Sequence, residues 1–183
     1  MRKTGIKRLA VHKGLPFLQY TENLRYASSR DVGPAATANP DITFMIYHSG
    51  YDMRVPEGAY SRDSGSGVDD LINSLTDSGI SATDQKNVYA EIGSTWRYLM
   101  RDPDQAAHVM GKLLKYVGED RVLWGTDSIW YGSPQDQIMA FRAFQISDEF
   151  QEKYGYPKIT PEIRAKVFGL NGAEAYEPVS YTH

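Results

Sequence analysis

The sequence predicts an α/β fold organised around a parallel sheet, and three observations point to it. Four short apolar runs, rich in β-branched and aromatic residues, alternate with longer stretches that carry helix starts and stops. The runs are nearly continuous in apolar character, which is the pattern of strands covered on both faces. The spacing between runs leaves room for the helical crossovers that parallel strands require. With 183 residues, 41% hydrophobic and 12% aromatic, the chain can bury the core of a single domain, read as 1–183 with a disordered tail at 178–183.

The elements follow in order. Ile6 to His12 reads as a short buried strand that runs into a loop at Gly14 and Pro16. Thr21 to Asn39 reads as helix interrupted at Gly33 and Pro34, and Ile42 to His48 (ITFMIYH) is the clearest strand. Ser49 to Gly67 has no period and reads as a long loop, of a length that often serves function. Asp69 to Ser78 suits a helix, and Asn87 to Gly93 (NVYAEIG) is the third strand. Asp102-Pro103-Asp104 opens a helix that runs to a stop at Gly118. Arg121 to Thr126 is the fourth strand, and Ser133-Pro134-Gln135-Asp136 starts a helix over Ile138, Phe141 and Phe144. Thr160-Pro161-Glu162 starts the last helix, which reaches residue 176 and is interrupted at Gly169.

Composition narrows the function classes. Lys+Arg 20 against Asp+Glu 23 gives a net charge of −3, so no general basic field exists for nucleic acid or anionic lipid, and a small-molecule partner is expected. Cysteine is absent, which removes disulfide frameworks, thiolate zinc sites and cysteine nucleophiles; any metal must rely on His and carboxylate. No apolar run approaches the roughly 18 residues of a membrane span, and the first residues lack the apolar stretch of a signal peptide, so a cytoplasmic protein is expected.

The chemistry falls at the strand ends. His12 ends the first strand, His48 the second, Glu91 lies near the end of the third and Asp127 follows the fourth. They recur about 40 residues apart, roughly one strand-helix unit each, and so converge on one end of a parallel sheet. Imidazole with carboxylate suits Zn²⁺ or another divalent first-row ion such as Mn²⁺. Each residue also has an ordinary reading: a histidine bonded to a backbone carbonyl, an Asx turn for Asp127, a surface carboxylate for Glu91. His108 is expected on a helix surface and His183 in the tail. Loop position makes Tyr51, Arg54, Trp96 and Trp130 candidate substrate contacts. Two architectures fit: a complete doubly wound sheet, favoured by the strand count, or part of a (β/α)₈ barrel, favoured by where the chemically capable residues fall.

The contexts VHKGLPF around His12, DITFMIYHSG around His48, NVYAEIG, GEDRVLWGTDSIW around Asp127 and the closing VFGLNGAEAYEP resemble the second half of the amidohydrolase superfamily. The nearest branch is the metal-dependent hydrolases and non-oxidative decarboxylases of amino-carboxymuconate semialdehyde decarboxylase type. The resemblance covers about residues 6 to 178, and its most specific piece is Gly118 to Asp127. It implies an α/β fold that is the C-terminal half, about strands five to eight, of a TIM-like (β/α)₈ barrel. It also implies that His12 is a metal ligand, that Asp127 is ligand or general base, and that His48 is a second-metal ligand or acid/base. The implied cofactor is a divalent metal, zinc first and manganese second.

The family pattern also has a His-x-His pair at the end of strand one, and this sequence contains none. The expectation is therefore a half barrel, explained by a missing N-terminal half, by completion with another chain as in a homo-oligomer, or by a degenerate half that only binds; alone it need not be an active enzyme. The leading function is a metal-dependent hydrolase acting on a small carboxylate- or amide-bearing molecule, with Arg54, Trp96 and Trp130 as substrate contacts. Non-oxidative decarboxylation on the same scaffold is one alternative. A non-catalytic doubly wound binding domain, with His12 and His48 structural, is the other.

Overall fold

The computed structural model describes residues 2–16, 24–83 and 87–177. Strands β1 (Arg8–His12), β2 (Thr43–Tyr47), β3 (Val88–Glu91) and β4 (Val122–Leu123) form one parallel sheet in the order β1-β2-β3-β4. Ala10, Met45 and Tyr89 make one row across it, and His12, Tyr47, Glu91 and Leu123 make the row two residues further along, on the same face. Sequence neighbours pair throughout, so the order contains no reversal of the kind that creates the crevice of a doubly wound sheet.

The helices are α1 (Leu24–Ala27), α2 (Val32–Ala38), α3 (Gly67–Asp77), α4 (Thr95–Leu99), α5 (Pro103–Lys112), α6 (Ser128–Tyr131), α7 (Gln135–Ala143), α8 (Asp148–Tyr154), α9 (Pro161–Ala165) and α10 (Asn171–Tyr176). The capping chemistry read from sequence is present. Asp102 accepts from Gln105 N at the start of α5, with Pro103 in the first turn, and Thr160 accepts from Ile163 N at the start of α9. The helix expected to stop at Gly118 widens into a π-type turn over Leu113–Gly118.

Three expectations need correction. Gly33 and Pro34 do not interrupt a helix; they sit in the first turn of α2, where proline's missing N–H costs nothing. Gly33 is needed there because a Cβ would lie 2.0 Å from Ser74 O on α3. The fourth strand is only two residues long, since Trp124 N leaves the ladder and donates to Val167 O, 3.0 Å away. His108 is not on a surface: it is buried, Nδ1 bonded to Tyr156 OH at 3.0 Å, among Phe150, Tyr154 and Tyr156. The expected tail at 178–183, with His183, lies outside the described residues.

The two faces of the sheet differ. Leu9, Val11, Phe44, Ile46, Val88, Ala90 and Val122 turn towards α2, α3, α5 and α7 and share one large core with them. The opposite face carries Met45, Tyr89, Leu123 and Tyr47, packed against Ala175 of α10. Arg8 clips that helix down: Nε donates to Ala175 O at 3.1 Å, and the guanidinium pairs with Glu177. Toward β1 this second face opens, with Ala10 and His12 exposed.

The long loop after β2 is anchored by a buried charge cluster. Lys112 of α5, fully buried, donates to Glu57 at 2.5 Å and to Asp69 at 2.7 Å. Their remaining oxygens accept backbone N–H groups of Val68 and Ser61, so every charge has partners.

Candidate functional site at the strand ends

After Tyr47 the chain turns sharply. His48 and Ser49 take φ of 69° and 54°, and Gly50 follows at 77°. Left-handed backbone at non-glycine residues persists only where neighbours hold it. Here Ser49 Oγ donates to Glu91 O at 2.7 Å, Thr95 Oγ1 donates to His48 O at 3.0 Å, and His48 N donates to Glu91 Oε2 at 3.3 Å. Ser94 (φ 54°) and Asp127 (φ 48°) are strained in the same way at the ends of β3 and β4. Strain thus gathers at the carboxyl end of the sheet.

That turn places the His48 ring, only 6% exposed, with Nδ1 at 2.5 Å from Gly93 O. A carbonyl oxygen can only accept, so Nδ1 carries the hydrogen and Nε2 of neutral His48 holds a free lone pair. Asp127 Oδ2 lies 3.7 Å from Nδ1. The carboxylate is held by Ser94 Oγ, which donates to Oδ2 at 2.5 Å and meets Tyr131 OH at 2.9 Å. His12 meets His48 edge to face, with ring centroids 4.5 Å apart. Partial burial, and then the neighbouring His48, hold the His12 pKa below its ordinary 6.5.

Glu91 faces this side of the sheet rather than solvent. Its side chain is buried and accepts from His48 N and from Gly93 N, the latter at 2.7 Å. Burial outweighs these bonds and raises its pKa to about 7. The carboxylate is wedged against two glycines: a Cβ on Gly93 would come within 2.4 Å of Oε1, and one on Gly125 within 1.4 Å.

His12, His48, Ser94 and Asp127 form the polar floor of a cleft of about 560 Å³. Its walls include Leu15, Pro16, Met53, Tyr98, Trp130 and Tyr131. The structure therefore gathers His12, His48, Asp127 and Trp130 in one place. It puts the other expected contacts elsewhere. Trp96 is in the core, 1% exposed, its indole N–H on Gln137 O and its ring against Phe141 and Phe144. Arg54 forks onto Asp52 and lines a separate small recess, and Tyr51 is buried in the core.

Sequence reasoning alone does not single out Ser94 and Tyr131. The signal for Ser94 was its place in EIGSTW, a hydroxyl at a strand-to-helix junction directly after glycine; the signal for Tyr131 was a spacing of four residues from Asp127.

The donors do not make a self-contained metal centre. Among the described residues no three His, Asp or Glu side chains are grouped so as to hold an ion. One nitrogen of His48 is committed to Gly93 O, and Asp127 to Ser94. The set falls short of the three protein ligands of a catalytic zinc site. No described helix is long and apolar enough to cross a membrane.

A family model described as amidohydrolase matches residues 4–177. No curated protein and no solved structure matches the chain.

Proposed function

The chain belongs to the amidohydrolase family, and on that premise we propose that it is a hydrolase whose reaction takes place in the cleft at the carboxyl end of the sheet. The observation that carries this reading is the bond from His48 Nδ1 to Gly93 O, which in the neutral ring puts the hydrogen on Nδ1 and the basic lone pair on Nε2, on a side chain that lines the cleft. Nε2 takes a proton from water as the water attacks the substrate carbonyl, and returns it to the leaving group. Asp127, held by Ser94, stabilises the imidazolium that forms between these steps. His12, kept neutral near pH 7, offers a hydrogen bond without adding charge.

Members of the family commonly bind a divalent metal. Zinc, or manganese, is the ion that imidazole and carboxylate would favour, but His12, His48 and Asp127 as placed need further donors, and no step above depends on one. The sequential parallel order supports reading β1–β4 as about strands five to eight of a (β/α)₈ barrel. Among the described residues β1 pairs only with β2, so its outer edge is where a second half, or another copy of the chain, would add strands. Decarboxylation on this scaffold would seat a carboxylate beside Asp127 with no Lys or Arg among the cleft residues, which leaves hydrolysis as the reading kept.

The test is hydrolysis of 4-nitrophenyl acetate by the whole chain, with and without added Zn²⁺. His48→Ala is expected to lower kcat/KM by about 10²-fold or more, the size of a lost acid/base group, while the melting temperature holds. Equal rates for the two proteins would overturn the reading.

A further inference from the structure

We propose, building on the hydrolase reading, that the cleft selects a substrate with an uncharged aryl group and that Trp130 is the residue on which that ring stacks. The walls supply the first argument. Trp130 is 78% exposed, Met53 47% and Tyr98 40%, large apolar surfaces left in water around a polar floor. A concave site with apolar and aromatic walls over a few polar groups is the usual form of a small-molecule site. The backbone of Trp130 is tied to that of Asp127: its N–H donates to Asp127 O at 2.9 Å, in the single turn of α6, so the indole starts from one side of the floor. Tyr131, beside it, is braced by Arg97, whose guanidinium lies 4.4 Å from the ring centroid, and by Ser94.

Charge supplies the second argument. The cleft residues include the carboxylate of Asp127 and no lysine or arginine. Two nearby cations are committed elsewhere, Arg54 to Asp52 and Lys13 to Asp31 and Tyr26 O, and Arg97 lies against the ring of Tyr131 without itself lining the cleft. A benzoate-like anion would meet Asp127 without a counter-charge, whereas an aryl amide or ester meets aromatic surface and places its carbonyl over the floor.

Calorimetric titration of the whole chain with benzamide, benzoate and cyclohexanecarboxamide reads binding independently of turnover. Benzamide is expected to bind at least tenfold more tightly than either of the others. Trp130→Ala should weaken benzamide about tenfold, and Trp130→Phe should restore most of it. Benzoate binding as tightly as benzamide, no binding of benzamide, or a folded Trp130→Ala protein that binds it normally would each overturn the proposal. The two readings stay separable: if benzamide binds the native chain and is weakened by Trp130→Ala as expected, but His48→Ala still hydrolyses 4-nitrophenyl acetate, only the catalytic assignment fails.

Discussion

The two faces of the sheet divide the work of the molecule. On the helix-covered face every inward side chain from Leu9 to Val122 is apolar and belongs to one core. On the other, one row across the strands reads His12, Tyr47, Glu91 and Leu123, and among the described residues the short helix α10 covers part of that face through Ala175. Stability is concentrated where packing is dense, and chemistry where a strand end meets open space. The difference teaches that residues of the same type, such as Trp96 and Trp130, have opposite meanings according to the side they serve.

That contrast can be broken most sharply at Trp96. Because its ring is enclosed by Phe141 and Phe144, Trp96→Ala should cost about 3–5 kcal/mol in urea unfolding, with kcat per folded molecule preserved. A loss of activity without a loss of stability would return Trp96 to the substrate site. Trp130→Ala, at an exposed position, should barely move the unfolding midpoint.

A second, smaller effect tests the open face through Glu91. Its pKa is raised by burial from 4.5 to about 7, so the folded state binds the proton more tightly than the unfolded chain does. Stability is then highest at or below about pH 4.5 and falls as pH rises to about 7, by up to roughly 3 kcal/mol from this group. Glu91→Gln should flatten that slope in unfolding experiments between those limits. An unchanged slope would show that the carboxyl does not titrate there.

The smallest effect concerns the cover. Arg8→Ala removes the hydrogen bond to Ala175 O and the exposed pair with Glu177, and should cost no more than about 1 kcal/mol globally. Hydrogen exchange is expected to quicken at the amides of residues 171–177 and not in α5. Uniform quickening throughout would mean that α10 belongs to the main cooperative unit.

Much of this division was legible in the sequence. The strand ends were, because continuous apolar runs stop at His12, His48 and the segment before Asp127, and periodicity reports such runs well. The helices α4, α6 and α8 were not, since four to seven residues are too few to show a 3.6-residue period, even though Ser147 and Gly155 frame α8 with usable cap signals. Gly33 and Pro34 misled because proline's meaning depends on where the helix begins, which here is set by the contact with Ser74. In the site, the strand-end histidines and Asp127 could be read because their types are chemically distinctive. Ser94 could not, because its role arises from a φ of 54° that aims a common side chain at Asp127. The side taken by Glu91 turned on a register of one residue, which composition does not reveal.

The glycine of the Gly-Thr-Asp motif is best understood as half of a lock whose other half is Glu91, on the neighbouring strand. Since a Cβ at position 125 would fall 1.4 Å from the Glu91 carboxylate, the two positions are energetically one. Gly125→Ala in the native background is a steric collision, yet with Glu91→Ser the space opens, so the double variant should be more stable than Gly125→Ala alone. A double-mutant cycle would measure that coupling directly. Two motifs that look independent in the text of the chain would then count as a single piece of information about it.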